Sequence, residues 1–335
     1  MRVVVLTTSY PTAEHPAAGS FVAASVEAAR EAGVDVDVVS PSSFPHFGVA
    51  LGSGIAQNLR RAPWKVLGVP PFLAAFSRAA RRGARDADLV HAHWIPSAIA
   101  ARATGKPYVL QVWGTDVELA RRVPWLVRPL VRGARLVLAA SSFLADEARA
   151  LGATDVEVVP VPISLPEHVG EPDEPPHALF AGRLSPEKGV EEFVTATEGI
   201  PRVIVGDGPL RGRIPGAVGF VPASDLAGYY RRAAVVCVPS RREGYGMTAR
   251  EAMAFGRPVV ATRVGGLAEL GPGAVLVEPG DADALRAALT SLLADVPARA
   301  SLGREARAEA AQKWAPAPAG RALAETWERA VRRAR

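Results

Sequence analysis

The sequence predicts an α/β protein made of two doubly wound domains. Short runs of β-branched residues alternate with helix-length segments along most of the 335 residues, and this alternation is typical of parallel sheets with helices on both faces. A segment rich in Pro and acidic residues interrupts the alternation at 160–177, and we interpret it as a linker between domains. A hydrophobic content of 49% and a charged content of 22% indicate a globular chain.

The first predicted domain covers 1–165 and begins with a strand. Its predicted strands are 2–9, 34–40, 87–94, 107–114, 134–141 and 155–160. Its predicted helices are 20–32, 71–83, 96–103, 121–132 and 142–151. The segment 41–70 contains scattered Gly and Pro and is interpreted as rich in loops.

The second predicted domain covers 166–315 and repeats the same alternation. Its predicted strands are 178–184, 202–208, 216–221, 233–240, 257–263 and 274–279, and its predicted helices are 187–197, 224–232, 247–255, 281–294 and 298–313. The final segment, 316–335, is predicted to be an amphipathic helix that packs back toward the first domain. Because open α/β sheets bind ligands at the carboxyl ends of their strands, we expect a ligand in a cleft between the two domains.

The composition argues against disulfides, cysteine-based zinc sites and membrane-spanning helices. Cys237 is the only cysteine, and it lies in an apolar run where a small buried hydrophobic residue is expected. The sequence has no stretch of about 18 apolar residues, and its N-terminus lacks the pattern of a signal peptide. We therefore expect a cytoplasmic protein.

The segment "GRLSPEKG", 182–189, follows a predicted strand and opens a predicted helix. It places Arg183 and Lys188 beside the free N–H groups of a helix start, and this combination favours an anion such as a diphosphate. Two solvated surface cations are the alternative. The next candidate, "GDGPLRG" at 206–212, has glycines near the dinucleotide-binding spacing but is too weak to predict a nicotinamide enzyme.

The segment "REGYGMTARE", 242–251, also runs from a strand end into a helix. The backbone N–H groups of Gly246, Met247 and Thr248 could hold a phosphate at that helix start. Glu251 lies one turn into the helix and could accept hydrogen bonds from the hydroxyls of a ribose. Glu243 precedes the turn. The alternative is that Thr248 and Glu251 only cap the helix.

Together these segments resemble the retaining glycosyltransferases of family four that carry two glutamates separated by seven residues. The resemblance extends through "SYPTAEHPAAGSFV", "DLVHAHW", "GTD", "GDGP" and "VGGLAE" and covers nearly the whole chain. It implies the GT-B fold, in which two Rossmann-like domains face each other across a cleft. It also implies a hexosyltransferase that moves a sugar from a nucleotide-diphosphate sugar to a hydroxyl acceptor, such as a lipid-linked group or a glycan.

The resemblance assigns roles to individual residues. Arg183 and Lys188 would hold the donor diphosphate, Glu251 the ribose, and Glu243 would lie against the transferred sugar as the catalytic carboxylate. The other implied donor-binding residues are Gly19, Gly244, Tyr245, Gly246, Met247 and Thr248. Because the cations and the helix start would stabilise the leaving diphosphate, no metal or other cofactor is expected. Three Asp-x-Asp pairs, at 35/37, 86/88 and 281/283, are interpreted as solvated charges or caps rather than metal ligands.

On the acceptor side the chain departs from the family pattern, because Trp113 stands where many relatives have a histidine before "GTD". Asp116 becomes the candidate for orienting or deprotonating the acceptor hydroxyl, with a helix-capping role as the alternative. His93 is expected to face the cleft beside Trp113, and His91 is expected to be structural. A zinc site is not predicted from these two histidines because no third ligand is evident.

Arginines interleaved with aromatic residues form clusters at 58–65, 77–85 and 119–135 in the first domain. Such faces are attracted to an anionic membrane surface, and the alternative is a solvated Arg-rich surface. No nucleic-acid-binding module is present, so nucleic acid is not an expected partner. Two alternatives to transfer stay open: a nucleotide-sugar epimerase or hydrolase of the same fold, and a non-catalytic nucleotide-sugar binding protein. Glu243 as a covalent nucleophile and a front-face mechanism both fit the sequence.

Overall fold

The computed structural model describes residues 1–50 and 55–333. The predicted loop segment 41–70 therefore includes four residues outside the described part, and the predicted final helix 316–335 includes two. The chain divides into two compact units. The first consists of Met1–Pro162 together with the segment from Pro316 onward, and the second is Ile163–Ala315.

The first unit is built on a six-stranded sheet in which every pair of neighbours is parallel. Its strands are β1 (Arg2–Leu6), β2 (Asp35–Val39), β3 (Leu89–His93), β4 (Tyr108–Val112), β5 (Leu136–Ala139) and β6 (Val156–Val158). They lie in the order β2-β1-β3-β4-β5-β6. The order reverses between β1 and β3, and open α/β sheets bind ligands at such a point.

The helices of this unit connect the strands, as the alternating pattern predicts. They are α1 (Ser20–Glu31), α2 (Ile55–Arg61), α3 (Val69–Gly83), α4 (Ile95–Ala103), α5 (Gly114–Ala120), α6 (Pro124–Gly133) and α7 (Ser142–Ala150). Two sequence predictions are corrected. The segment 41–70 contains α2 and a 3₁₀ helix at Pro63–Gly68, and the predicted helix 121–132 is preceded by the separate helix α5. Pro124 explains the second break, since proline favours a first helical turn and restricts the residue before it.

The second unit carries a five-stranded parallel sheet in the order β11-β10-β9-β7-β8. Its strands are β7 (Ala178–Ala181), β8 (Arg202–Val205), β9 (Val235–Val238), β10 (Val259–Thr262) and β11 (Ala274–Val277). Its helices are α8 (Val190–Ala196), α9 (Ala223–Arg232), α10 (Met247–Ala254), α11 (Ala282–Ala294) and α12 (Val296–Lys313).

The predicted strand 216–221 is wrong, because this segment makes only an isolated bridge between Gly206 and Gly219. Gly216 and Gly219 both have positive φ angles, which break an extended strand.

The last helix, α13 (Pro316–Arg332), belongs to the first unit and packs along α1. Small residues allow the close approach, since a Cβ at Gly320 would overlap the carbonyl of Ala28. Trp327 on α13 is fully buried in the same core as the strand residues Val3, Val5 and Leu89. Among the described residues, no helix combines the length and the apolar character that spanning a membrane requires.

Candidate functional site

The candidate donor site lies at the carboxyl ends of β7 and β9, which are neighbours in the second sheet. Because these strands are adjacent and parallel, the loops that follow them, 182–189 and 239–246, come together. The Arg241 N–H donates to the Glu187 carbonyl at 2.9 Å. Gly189 lies so close to the backbone of Pro239 that a Cβ there would overlap the Pro239 carbonyl. The sheet order therefore unites two segments that are more than fifty residues apart in sequence.

Lys188 and Glu243 meet where the two loops touch. Lys188 Nζ donates to Glu243 Oε2 at 2.7 Å, and the two side chains are only 32% and 14% exposed. Ser240 Oγ lies 3.4 Å from the same carboxylate oxygen. These side chains line a cavity of about 20 Å³ together with Thr248, whose hydroxyl donates to the Ala181 carbonyl at 3.2 Å. A charged pair is thus held in place before any ligand binds.

Arg183 lies on the same loop as Lys188, and its side chain is exposed with no described ion-pair partner. The loop that carries it is seated on the segment "GDGP". Leu184 and Asp207 form a backbone hydrogen bond, and a Cβ at either Gly206 or Gly208 would overlap the backbone of 182–184. These glycines therefore serve close backbone packing, and their dinucleotide-like spacing reflects that packing.

The start of α10 is shaped by Gly246, which has a φ of 85° in the left-handed region. This conformation favours glycine, and the neighbouring Leu267 side chain leaves no room for a Cβ. No side chain caps α10. The N–H groups of Met247 and Thr248 have no described acceptor, so they remain available to an anion.

The buried side chain of Arg250 hydrogen-bonds to the backbone of this turn. The sequence did not predict this residue as part of the site. Arg250 is 3% exposed, donates to the carbonyls of Tyr245 and Gly266, and lies 3.9 Å from the centre of the Tyr245 ring. The Tyr245 ring is therefore buried against Arg250, so only the backbone of Tyr245 remains a candidate for binding the donor. Burial lowers the pKa of Arg250, and nearby Tyr245 and acidic groups oppose that shift.

Glu251 accepts a hydrogen bond from the hydroxyl of Tyr230 on α9 at 2.8 Å. Burial raises the pKa of Glu251, and the Tyr230 hydrogen bond partly offsets that effect. Tyr230 is fully enclosed, and its own pKa is raised well above the usual value by burial and by the neighbouring carboxylate. Tyr230 orients Glu251 from a helix 21 residues upstream, and no local pattern in the sequence indicates this pairing.

In the first unit, Gly19 precedes α1 with a φ of 63°. A Cβ at this position would overlap the carbonyl of Ser9, so the loop after β1 rests directly on Gly19. This tight approach explains the glycine by itself. The predicted contact of Gly19 with a donor phosphate stays a prediction.

Asp116 lies in the first turn of α5 and holds two helix starts. Its Oδ1 accepts from the Trp113 N–H at 2.8 Å, and its Oδ2 accepts from the Ile95 N–H at 3.1 Å. Burial raises the pKa of Asp116 to about 7, although these backbone hydrogen bonds act in the opposite direction. Asp116 therefore has the helix-capping role that the sequence allowed. Its pKa of about 7 also lets the carboxyl group gain or lose a proton near neutral pH.

His93 and Trp113 belong to a buried aromatic group. The ring of Trp113 stacks near His93 at a centroid distance of 6.0 Å and contacts Phe21 at 4.5 Å. His91 and His93 are both almost fully buried, and their ring centroids are 4.3 Å apart. The sequence led us to expect that His93 would be more open than His91, and this difference in exposure is not seen. Burial lowers the pKa of His93 to about 3, so it is uncharged at neutral pH.

The described residues contain no group of three His, Cys, Asp or Glu side chains that could hold a metal ion. Asp281 caps α11 by accepting from the Ala284 N–H at 2.8 Å. Asp37 pairs with Arg2 at 2.6 Å, and Asp88 accepts from the Arg2 N–H at 2.8 Å. Asp281 is thus a helix cap, and Asp37 and Asp88 both bond to Arg2.

Comparisons with known proteins agree with this architecture. The family described as Glycosyltransferase Family 4 matches residues 18–166, and the one described as Glycosyl transferases group 1 matches residues 175–295. The glycosyltransferase TuaC of Bacillus subtilis, named for teichuronic acid biosynthesis, is 28% identical over 87% of this chain and 88% of its own length.

Solved structures show the same fold. Sucrose-phosphate synthase from Thermosynechococcus elongatus has a TM-score of 0.78 at 22% identity and covers 98% of both chains. HepE of Anabaena, solved in complex with UDP-glucose, has a TM-score of 0.74 at 19% identity and covers 98% of this chain and 100% of its own.

The two parallel α/β sheets, the matched family segments and the full-length relative together define a glycosyltransferase with the GT-B fold. Within that class, the chain belongs to the family 4 glycosyltransferases, with a family 4 domain followed by a group 1 domain.

Proposed function

We propose that this glycosyltransferase moves a sugar from a nucleotide-diphosphate sugar to a hydroxyl acceptor, with retention at the anomeric carbon and without a metal ion. The observation that carries the proposal is the meeting of Lys188, Glu243 and the start of α10 at the ends of two neighbouring strands. A diphosphate leaving group and the sugar attached to it need positive charge and a carboxylate side by side. The binding of UDP-glucose by HepE supports a donor of this kind.

The second unit supplies the groups that stabilise the leaving diphosphate. As the bond between the anomeric carbon and the β-phosphate oxygen breaks, negative charge builds on the diphosphate and positive charge builds on the sugar ring. Arg183, Lys188 and the N–H groups of Met247 and Thr248 would face the negative charge, and Glu243 would face the sugar. Fixed groups of this kind stabilise a transition state because they need no reorganisation when the charge develops.

The nucleotide end of the donor is assigned to Glu251. Its carboxylate can accept hydrogen bonds from two ribose hydroxyls, and Tyr230 fixes its orientation. Gly244 allows a close approach of the backbone to the sugar. This arrangement explains why a glycine-rich turn separates the two glutamates.

The acceptor side is assigned to Asp116 of the first unit; Trp113 and His93 are buried beside it, and Trp113 contributes by donating its backbone N–H to Asp116 Oδ1. Asp116 would orient the acceptor hydroxyl or take its proton, since its pKa of about 7 suits a group that must gain and release a proton near neutrality. In the alternative front-face mechanism, the leaving phosphate takes this proton. TuaC is named for teichuronic acid biosynthesis, which supports a glycan as the acceptor.

The test is a transfer assay that measures release of nucleotide diphosphate from UDP-glucose with and without a glycan acceptor. Acceptor-dependent release that falls at least a hundredfold in Glu243→Gln supports transfer at this site. Release that is independent of acceptor would indicate a hydrolase, and donor binding without release would indicate a non-catalytic binding protein. Full transfer by Glu243→Gln would show that the site is assigned to the wrong carboxylate.

We also propose that the first unit docks on an anionic membrane surface. Trp64 and Leu67, before α3, are 70% and 80% exposed, and Trp125 and Leu126, in the first turn of α6, are 74% and 57% exposed. Both α3 and α6 pack against α4, and both run toward the amino ends of the strands that follow them. Both helices therefore begin near the carboxyl edge of the sheet, and the exposed residues at or before their first turns lie toward that edge.

Arginines flank these aromatic residues at 60–61 and 121–122. Exposed aromatic residues beside cationic ones suit the interface of an anionic bilayer. Sedimentation with phosphatidylglycerol vesicles at low salt, reversed at high salt and reduced in a Trp64→Ala/Trp125→Ala variant, is the expected result. Absence of sedimentation at low salt would refute the proposal.

A further inference from the structure

A second cavity opens in the first unit, at the opposite end of the sheet from Asp116. It has a volume of about 390 Å³ and lies where β4 and β5 begin. Asp116 follows the other end of β4, which is about 13 Å away at 3.3 Å per residue. The cavity is therefore separate from the residues assigned to the acceptor.

Four cationic side chains line this cavity. They are Arg102, Lys106, Arg132 and Arg135. The described residues include no ion-pair or side-chain hydrogen-bond partner for any of the four. At the same edge of the sheet, by contrast, Asp155 is paired with Arg333. This acid is thus already paired, whereas the cations of the cavity are not.

Helix electrostatics explain only part of this cluster. Arg102 and Arg132 lie in the last turns of α4 and α6, where a cation compensates the helix dipole. Lys106 and Arg135 lie outside those helices, in the segments that lead into β4 and β5. Like charges around one opening repel each other, so an anion in the cavity would relieve that repulsion as well as gain its own contacts.

Tyr108 and Gly133 form the floor of the cavity. Tyr108 is buried, and its hydroxyl donates to the Leu130 carbonyl at 2.5 Å. Gly133 lies over this hydroxyl, and a Cβ there would come within 2.8 Å of it. A larger residue at 133 would therefore push into the tyrosine and disturb the cavity. Because the Tyr108 hydroxyl is already bonded, a ligand in the cavity would contact mainly the guanidinium and ammonium groups.

We propose that this cavity is a second anion site, which binds a phosphate or diphosphate group that is either free or carried by a lipid headgroup. Arginine pairs well with phosphate because its planar fork donates two parallel hydrogen bonds. Four cations more than offset the charge of a diphosphate, and the volume accommodates one together with a small attached group. The site is independent of the donor site of the second unit.

The probe is inorganic pyrophosphate, measured by titration calorimetry in the presence of saturating UDP so that a donor site is already occupied. The test variant is Arg102→Ala/Arg135→Ala. The matched control is Arg149→Ala/Arg332→Ala, which removes the same charge from exposed arginines of the same unit that have acidic partners. Thermal melting checks the fold of both, and Arg102→Gln/Arg135→Gln replaces the test variant if it does not fold.

We expect the test variant to bind pyrophosphate at least tenfold more weakly, with UDP binding unchanged, and the control to bind as the wild type does. An unchanged affinity in the test variant, or an equal loss in the control, would overturn the proposal. UDP binding is measured separately, so a wrong donor site would appear as absent UDP binding by the wild type. A wrong second site would appear as unchanged pyrophosphate binding by the test variant.

Vesicles distinguish the two sources of the phosphate. If phosphatidylglycerol vesicles, but not phosphatidylcholine vesicles, retain the wild type and lose the test variant, the ligand is a lipid headgroup. If the test variant loses pyrophosphate but is retained by vesicles as the wild type is, the ligand is a free phosphate compound.

Discussion

Replacement of Gly246 by alanine tests whether the start of α10 must have its present shape. Gly246 has a φ of 85°, and an added Cβ would lie 2.5 Å from Leu267 Cδ2. The left-handed conformation costs a residue with a Cβ about 1–2 kcal/mol. Forcing an extra methyl group into packed surroundings adds about 1–3 kcal/mol.

Alanine also lowers the entropy of the unfolded chain, and this effect offsets the destabilisation by about 0.4–1 kcal/mol. The net expectation is a loss of about 2–4 kcal/mol in the free energy of unfolding. For a unit of this size that corresponds to a fall in Tm of about 4–16 °C. Because the helix start must shift to relieve the overlap, donor affinity should also fall by about tenfold or more.

Gly256→Ala is the matched control, since Gly256 ends the same helix with a φ of 65° and the nearest atom to its Cβ would be 3.5 Å away. It bears the conformational cost without the overlap, so its Tm should fall less and its donor affinity should not change. Differential scanning calorimetry and titration with UDP measure both quantities. Equal donor affinity in Gly246→Ala and wild type would refute the argument that this turn shapes the phosphate site.

Three further changes probe other parts of the site. Lys188→Met should lower kcat by about a hundredfold or more because a cation at the leaving group is lost, whereas its partly exposed pairing with Glu243 limits the stability loss to about 1 kcal/mol. Tyr230→Phe should cost about 1–2 kcal/mol in urea unfolding, and the acid limit of UDP binding should move to higher pH because the hydroxyl that lowers the pKa of Glu251 is gone. The pKa of Asp116 rises on folding from 3.8 to about 7, so the folded state binds the extra proton and the free energy of unfolding should fall, by at most about 4 kcal/mol, as pH rises from about 4 to 7. Asp116→Asn should flatten that fall in urea titrations across this range, and an unchanged slope would contradict the shift.

Much of this site could be predicted from the sequence because its residues lie on loops that follow obvious strands. Arg183, Lys188 and Glu243 lie on loops that follow two short apolar runs, 178–181 and 235–238, so a parallel sheet places all of them at one edge. The pairing of Lys188 with Glu243 required one more fact, the adjacency of β7 and β9, which local patterns do not reveal.

The residues that were missed act through contacts distant in sequence. Arg250 looks like an ordinary helix residue until the fold buries it under Tyr245 and Gly266. Tyr230 on α9 and Glu251 on α10 meet only in the folded chain, through one side-chain hydrogen bond. In the same way, the predicted strand 216–221 failed because two glycine φ angles, rather than the hydrophobic pattern, decide its path.

The most direct measurement of the central claim is a thermal-shift titration with UDP-, GDP- and ADP-glucose on the wild type and on Arg183→Ala/Lys188→Met. A donor at 100 times its Kd stabilises the folded state by about 2.7 kcal/mol. We predict that at least one of the three raises the Tm of the wild type and that the double variant loses the shift at the same concentration. A wild type that responds to none of the three, or a double variant that keeps the full shift, would contradict the claim that these cations hold a nucleotide-diphosphate sugar.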